Sequence, residues 1–183
     1  YCINCAAYTA VDKAESEADK AFEINATGVK NLAIACQKFD VVLIHISTDF
    51  VFDGQKKEPY IETDVANPVS VYGASKLQGE VEIKQILEKY FILRTSWLYS
   101  EHGNNFMKTM FRLAETRNEI SVVSDQIGTP TYGGDLAKVI LTTINSKSTN
   151  FGLYHYSNEG ETSWYDFAKA IFEASNLKIK TNP

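Results

Sequence analysis

Val41-Val42-Leu43-Ile44-His45-Ile46 is apolar or β-branched at almost every position, and it runs into Ser47-Thr48-Asp49-Phe50-Val51-Phe52-Asp53-Gly54. A strand with one solvated face alternates polar and apolar residues. A run without alternation is buried on both faces, as in a parallel sheet covered by helices. Thr48 and Asp49 then fall at the carboxyl end of the strand, where open α/β sheets bind ligands. Phe52 to Gln55 reads as a turn, and 56–67 as a polar loop. Pro68 and Ser70 open a helix through Ile83, Ile86 and Leu87 whose first turn carries Tyr72 and Lys76. Residues four apart share one helix face. The ammonium favours the phenolate, so the Tyr72 pKa is expected to fall from about 10 toward working pH. A phenol, an ammonium and the Thr48 hydroxyl together make a proton donor or acceptor for carbonyl reduction or alcohol oxidation. A second Tyr-x-x-x-Lys, Tyr165 and Lys169, follows no such strand and is read as a core-edge tyrosine with a solvated lysine.

Outward from this centre, strands and helices alternate. Tyr1 to Cys5 reads as the end of a buried strand, and 22–39 as a helix with Ile24, Val29, Leu32, Ala33 and Cys36 at helical spacing. Further strands are expected at 90–95, 120–123 and 152–156, and further helices at 104–117, 134–144 and from a Thr162 or Ser163 cap to about Ser175. Residues 125–132 form a Pro/Gly-punctuated loop. This order argues for a doubly wound parallel α/β sheet. Ala6 and Ala7, just after the first strand, are small enough for a dinucleotide to approach the backbone, or simply for tight packing.

The 183 residues are 44% hydrophobic and 22% charged, the composition of an ordinary globular chain. A net charge of -5 argues against a nucleic-acid surface but leaves room for an anionic nucleotide. No apolar run reaches membrane-spanning length, and the expected location is cytoplasmic. Cys2 and Cys5 form a Cys-x-x-Cys, but residues three apart on a strand point to opposite faces, so they are read as small packing residues rather than a metal or redox pair. His45, His102 and His155 have no metal-ligand spacing, and His45 is read as a satisfied core histidine.

Several stretches resemble one family in its own order. They are Asn4-Cys5-Ala6-Ala7-Tyr8-Thr9-Ala10-Val11-Asp12-Lys13-Ala14-Glu15, Asn25-Ala26-Thr27-Gly28, the Ser47–Gly54 stretch, Tyr72-Gly73-Ala74-Ser75-Lys76-Leu77-Gln78-Gly79-Glu80, Arg94-Thr95-Ser96-Trp97-Leu98-Tyr99, and Asp125-Gln126-Ile127-Gly128-Thr129-Pro130-Thr131. They resemble the extended short-chain dehydrogenase/reductases, nearest the dTDP-4-dehydrorhamnose reductases. The resemblance implies a Rossmann-like fold, NADPH or NADH as cofactor, a dTDP-sugar substrate and a homodimer. It implies catalytic roles for Tyr72, Lys76 and Thr48, and cofactor contacts at Ala6, Ala7, Tyr8, Thr9, Ile46, Tyr72 and Lys76. Substrate contacts would fall on Thr9, Val11, Thr48, Asp49, Phe50 and Trp97, although Trp97 could equally cap the core. Asn25 resembles the helix asparagine that props the active-site lysine through water, or is a plain polar helix residue.

The family's glycine-rich phosphate loop does not occur in these residues. The expectation is an internal portion of a longer enzyme, incomplete at the N-terminal side, with an exposed sheet edge. Residues 1–124 would carry the C-terminal part of the NAD(P)-binding core with the active site, and 125–183 the start of an interleaved substrate-binding region. Two rivals remain at this point. One is a nucleotide-sugar epimerase or dehydratase of the same superfamily. The other is a non-catalytic regulatory subunit resembling that of methionine adenosyltransferase.

Overall fold

The computed structural model describes all 183 residues, Tyr1–Pro183. The chain packs as two compact units, one of Tyr1–Thr95 with Ile140–His155, the other of Ser96–Val139 with Tyr156–Pro183. The division expected from the sequence is at 124/125. The packing boundary falls earlier, because the chain leaves the main sheet at Thr95 and rejoins it only at 152–155.

In the first unit, β1 (Cys2–Asn4) is followed by the short helices α1 (Val11–Ala14) and α2 (Ala18–Phe22). A π-helical turn, Glu23–Thr27, then leads into α3 (Gly28–Lys38). The wider turn shifts the helical phase, so Ile24 is 37% exposed while Val29, Ala33 and Cys36 are buried. Next come β2 (Leu43–Thr48), α4 (Val71–Ile86) and β3 (Tyr90–Thr95). The sheet has the order β1-β2-β3-β8, with every pairing parallel. Helices α3 and α4 bury Val29, Ala33, Cys36, Ile83 and Leu87 against Leu43 and Ile92. As expected for a strand covered on both faces, Leu43, Ile44, His45, Ser47 and Thr48 are all buried. Strand β1 lies at the edge of this sheet, paired on one side only, with Ile3 45% exposed.

Ser70 caps α4, its Oγ accepting the Gly73 N–H at 3.0 Å. Two glycines inside this helix are required by close approaches. A Cβ on Gly73 would lie 2.1 Å from the Phe50 carbonyl oxygen, and one on Gly79 would lie 2.2 Å from that of Asn25. Gly73 therefore lets α4 rest on the turn that follows β2, and Gly79 lets it rest on the π turn. A buried ion pair adds to these contacts. Glu80, on α4, accepts from Arg94 Nε at 2.8 Å and Nη2 at 2.7 Å, and from Ser47 Oγ at 2.6 Å.

The second unit holds β4 (Leu98–Tyr99), α5 (Phe106–Ala114), β5 (Glu119–Ser121), β6 (Ile127–Gly128) and β7 (Thr131–Tyr132). Helix α6 (Gly133–Asn145) crosses the boundary and leads to β8 (Gly152–His155) of the main sheet. Then follow β9 (Thr162–Ser163), α7 (Trp164–Ala174) and β10 (Lys180–Asn182). Ser163 is the cap of α7, its Oγ accepting the Asp166 N–H at 2.9 Å. Met110, Ile120, Ala168, Ile171 and Phe172 form this unit's core. Strand β10, which carries no pattern of its own, pairs in parallel with β5. No helix is long and apolar enough to cross a membrane.

Candidate active site

Thr48 ends β2 in extended conformation and its side-chain oxygen accepts the Phe50 N–H at 3.2 Å, closing a single 3-10 turn over Asp49–Val51. The same hydroxyl donates to Asp49 Oδ1 at 3.1 Å. Tyr72 stands on the first turn of α4, buried, with its ring edge-on to Phe50 at a centroid distance of 5.5 Å. The turn after β2 and the start of α4 thus meet across Gly73, and that contact brings Thr48 and Tyr72 together.

The electrostatics differ from the expectation. The Tyr72 phenol is pushed up, not down. Burial is the main cause, a hydrogen bond with Thr48 acts the other way, and the Asp49 charge pushes it further up. Lys76 does not supply the lowering, because its ammonium turns into the sheet. Its Nζ donates to the Ile46 carbonyl at 2.7 Å and lies 3.4 Å from His45 Nε2. Lys76 is only 2% exposed, and burial brings it down to about 8 against the raising influence of Glu80 and Cys5. Burial also raises the Asp49 carboxyl to about 6. Near neutral pH the site therefore offers a protonated phenol beside a hydroxyl, with a buried lysine one turn below.

The loop after β1 is pinned from beneath. Asn4 Oδ1 accepts the Ala6 N–H at 3.1 Å. Asn25 takes both sides of the Tyr8 peptide, accepting its N–H at 2.8 Å and donating to its carbonyl at 3.1 Å. Asn25 Nδ2 also donates to Ser75 Oγ at 2.9 Å. The Asn25 amide is thus committed to Tyr8 and Ser75. Ala6 and Thr9 are exposed, Ala7 is half-buried, and Val11 packs beside Tyr8, Ala14, Ala21 and Tyr72.

Ala6, Ala7, Tyr8, Thr9, Val11, Ile46, Thr48, Asp49, Phe50, Tyr72 and Lys76 all lie in the first unit. Trp97 belongs to the second unit, in left-handed conformation at φ 48°. Its ring stacks on Trp164 at 3.5 Å and 9°, and Gly128 packs so tightly on it that a Cβ would meet the indole at 2.6 Å. Ser96 Oγ, next to Trp97, donates to the Thr129 carbonyl at 2.6 Å, so the Asp125–Thr131 motif serves as the wall that holds this indole. Tyr165 and Lys169 form a cation–π pair at 5.2 Å on α7 of the second unit. No group of three or more His, Cys, Asp or Glu side chains could hold a metal.

Residues 1–183 match the RmlD substrate binding domain. The chain belongs to that family. It is 49% identical to dTDP-4-dehydrorhamnose reductase of Aggregatibacter actinomycetemcomitans, over 98% of this chain and 63% of that protein. It is 46% identical to the spore coat polysaccharide biosynthesis protein SpsK of Bacillus subtilis, over 96% of this chain and 61% of that one. The crystal structure of dTDP-4-dehydrorhamnose reductase from Bacillus anthracis in complex with NADP superposes with a TM-score of 0.96 at 51% identity, covering 99% of this chain and 64% of that one. The chain thus spans a little under two thirds of these relatives.

Three parts of this RmlD-family site escape sequence reading: the Asn25–Ser75–Tyr8 bridge, the Asn4–His45–Lys76 line and the Glu80–Arg94 pair. The two helix-interior glycines of α4 were the one available signal, since glycine inside a helix costs stability and marks a close approach.

Proposed function

We propose that this chain carries the catalytic residues of an NAD(P)H-dependent reductase that converts the 4-keto group of dTDP-4-dehydro-β-L-rhamnose into the alcohol of dTDP-L-rhamnose. The observation that carries the reading is the protonated Tyr72 phenol held beside Thr48 at the carboxyl end of a parallel strand. The relatives' names and the NADP-bound neighbour support the substrate and the cofactor.

The residues present fit the nicotinamide end of a dinucleotide. Ala6 and Ala7 give a small, pinned backbone edge, and Lys76 lies buried behind Tyr72. Ala6, Ala7, Tyr8, Thr9, Ile46, Tyr72 and Lys76 would hold the cofactor, which when bound supplies the hydride. Tyr72 gives its proton to the carbonyl oxygen as negative charge develops there. With its pKa raised, the phenol is protonated when the substrate arrives. Thr48 turns its hydroxyl from Asp49 to the same oxygen, and Lys76, its Nζ on the Ile46 carbonyl, would hold the nicotinamide ribose. Thr9, Val11, Asp49, Phe50 and Trp97 would contact the nucleotide-sugar. The division expected from the sequence, cofactor core in 1–124 and substrate region from 125, belongs to this proposal, as do a cytoplasmic location and a homodimer.

Stoichiometry tests the reaction class in the full-length protein. One NADPH or NADH oxidised per dTDP-4-dehydrorhamnose consumed is expected. Turnover of a nucleotide-sugar with no net loss of reduced cofactor would transfer the chain to the epimerases. Binding of a large protein partner with no turnover would favour the regulatory reading.

A further inference from the structure

His45 has no part in the proton transfer just described, yet it is fully buried and touches Lys76. Its surroundings fix its protonation. Asn4 Oδ1 accepts the Ala6 N–H, and a backbone N–H can only donate, so the amide oxygen must face Ala6. The Asn4 NH₂ group then faces His45 Nδ1, at 3.0 Å. Nδ1 must accept. Burial holds His45 well below its ordinary pKa, with the Lys76 charge adding to the effect, so the ring is neutral and its single proton sits on Nε2. That N–H points at Lys76 Nζ, 3.4 Å away.

An ammonium at Lys76 would meet this N–H donor to donor. An amine at Lys76 would accept it while still donating to the Ile46 carbonyl. We infer that Asn4, by fixing the His45 tautomer, sets the protonation equilibrium of Lys76, which makes Asn4 and His45 positioning residues for the active-site lysine. The other groups around Lys76 push the opposite way. Glu80, one turn further along α4, and the Cys5 thiol both favour the ammonium. Glu80 is itself engaged by Arg94, and the Cys5 thiol is raised by burial and stays neutral. The His45 N–H is thus the neighbouring dipole that opposes the charge, alongside burial. The consequence for turnover rests on the reductase reading, but the tautomer does not.

The test is ¹⁵N NMR of histidine-labelled full-length protein, with His45 assigned by its loss in His45→Gln. The expected pattern is a protonated Nε2 and a bare Nδ1 at pH 7. In Asn4→Leu, which adds no charge, the ring is free to present a bare Nε2 to the ammonium. The tautomer population should then move toward Nδ1–H. The Lys76 titration, followed by ¹³Cε-lysine NMR and assigned with Lys76→Met, should move up by about one pH unit. A charged ring or an Nδ1–H tautomer in the wild type would overturn the inference, and so would an unmoved Lys76 midpoint in a folded Asn4→Leu. If Asn4→Leu does not fold, the wild-type tautomer alone decides. Because the readout needs no substrate, failure of the reductase reading would leave this result standing.

Discussion

Removing the Glu80 carboxylate isolates the buried ion pair that joins α4 to β2 and β3. Glu80 is fully buried and Arg94 is 5% exposed. Two hydrogen bonds of 2.7 and 2.8 Å link them, and Ser47 adds a third to the same carboxylate. Arg94 Nη1 has no hydrogen-bond partner, the Phe52 ring lies 5.1 Å from the guanidinium, and Glu62 is a second carboxylate that feels its charge. Glu80→Met therefore leaves a buried cation without its counter-charge, at a cost of about 3–5 kcal/mol. Against a total stability of about 5–15 kcal/mol this is a large fraction. The melting midpoint should fall by roughly 6–20 °C, at about 2–4 °C per kcal/mol. Arg94→Met should cost a similar amount. The double variant, with neither charge left to bury, should lose under about 2 kcal/mol, so the singles will not add. Urea unfolding of the four proteins, followed by circular dichroism, measures the cycle. A double variant as unstable as the sum of the singles would refute the reasoning.

Gly73→Ala places a Cβ 2.1 Å from the Phe50 carbonyl, so the turn bearing Thr48 must move away from Tyr72. A stability loss of about 1–3 kcal/mol and a fall in turnover at least tenfold are expected, read by melting and by steady-state rates. Asp49 should govern a second dependence. Its folded pKa of about 6 exceeds the ordinary 3.8, so between about pH 4 and 6 the folded state holds a proton that the unfolded chain releases. Stability should fall as pH rises through that window. Allowing for partial exposure, Asp49→Asn should gain about 1–2 kcal/mol at pH 7.5 and nothing near pH 4. Parallel stability–pH curves for the two proteins would contradict this.

Strand β2 was legible because burial on both faces leaves a run of apolar residues, and the Tyr72/Lys76 pair because helical spacing and a strand end flank it. The Ser70 and Ser163 caps were legible for a similar reason, since capping chemistry is local. What escaped was non-local. Asn4 meets His45 across 41 positions and Asn25 meets Ser75 across 50, and such hydrogen bonds leave no periodicity. The π turn at 23–27 has no composition of its own. The sign of the Tyr72 shift was misjudged because spacing places Lys76 on the same helix face but not where its side chain ends. That chain turns to the Ile46 carbonyl, and burial then governs the phenol. Trp97 follows β3 in sequence and packs with Trp164 in the second unit, a contact across 67 positions.

The central claim is that Tyr72 is the proton donor, and NADPH oxidation by the full-length protein with dTDP-4-dehydrorhamnose tests it most directly. Tyr72→Phe should lower turnover by about 10²–10⁴-fold with an unchanged melting midpoint, while Tyr165→Phe should leave turnover intact. Near-wild-type turnover in a folded Tyr72→Phe protein would contradict the account.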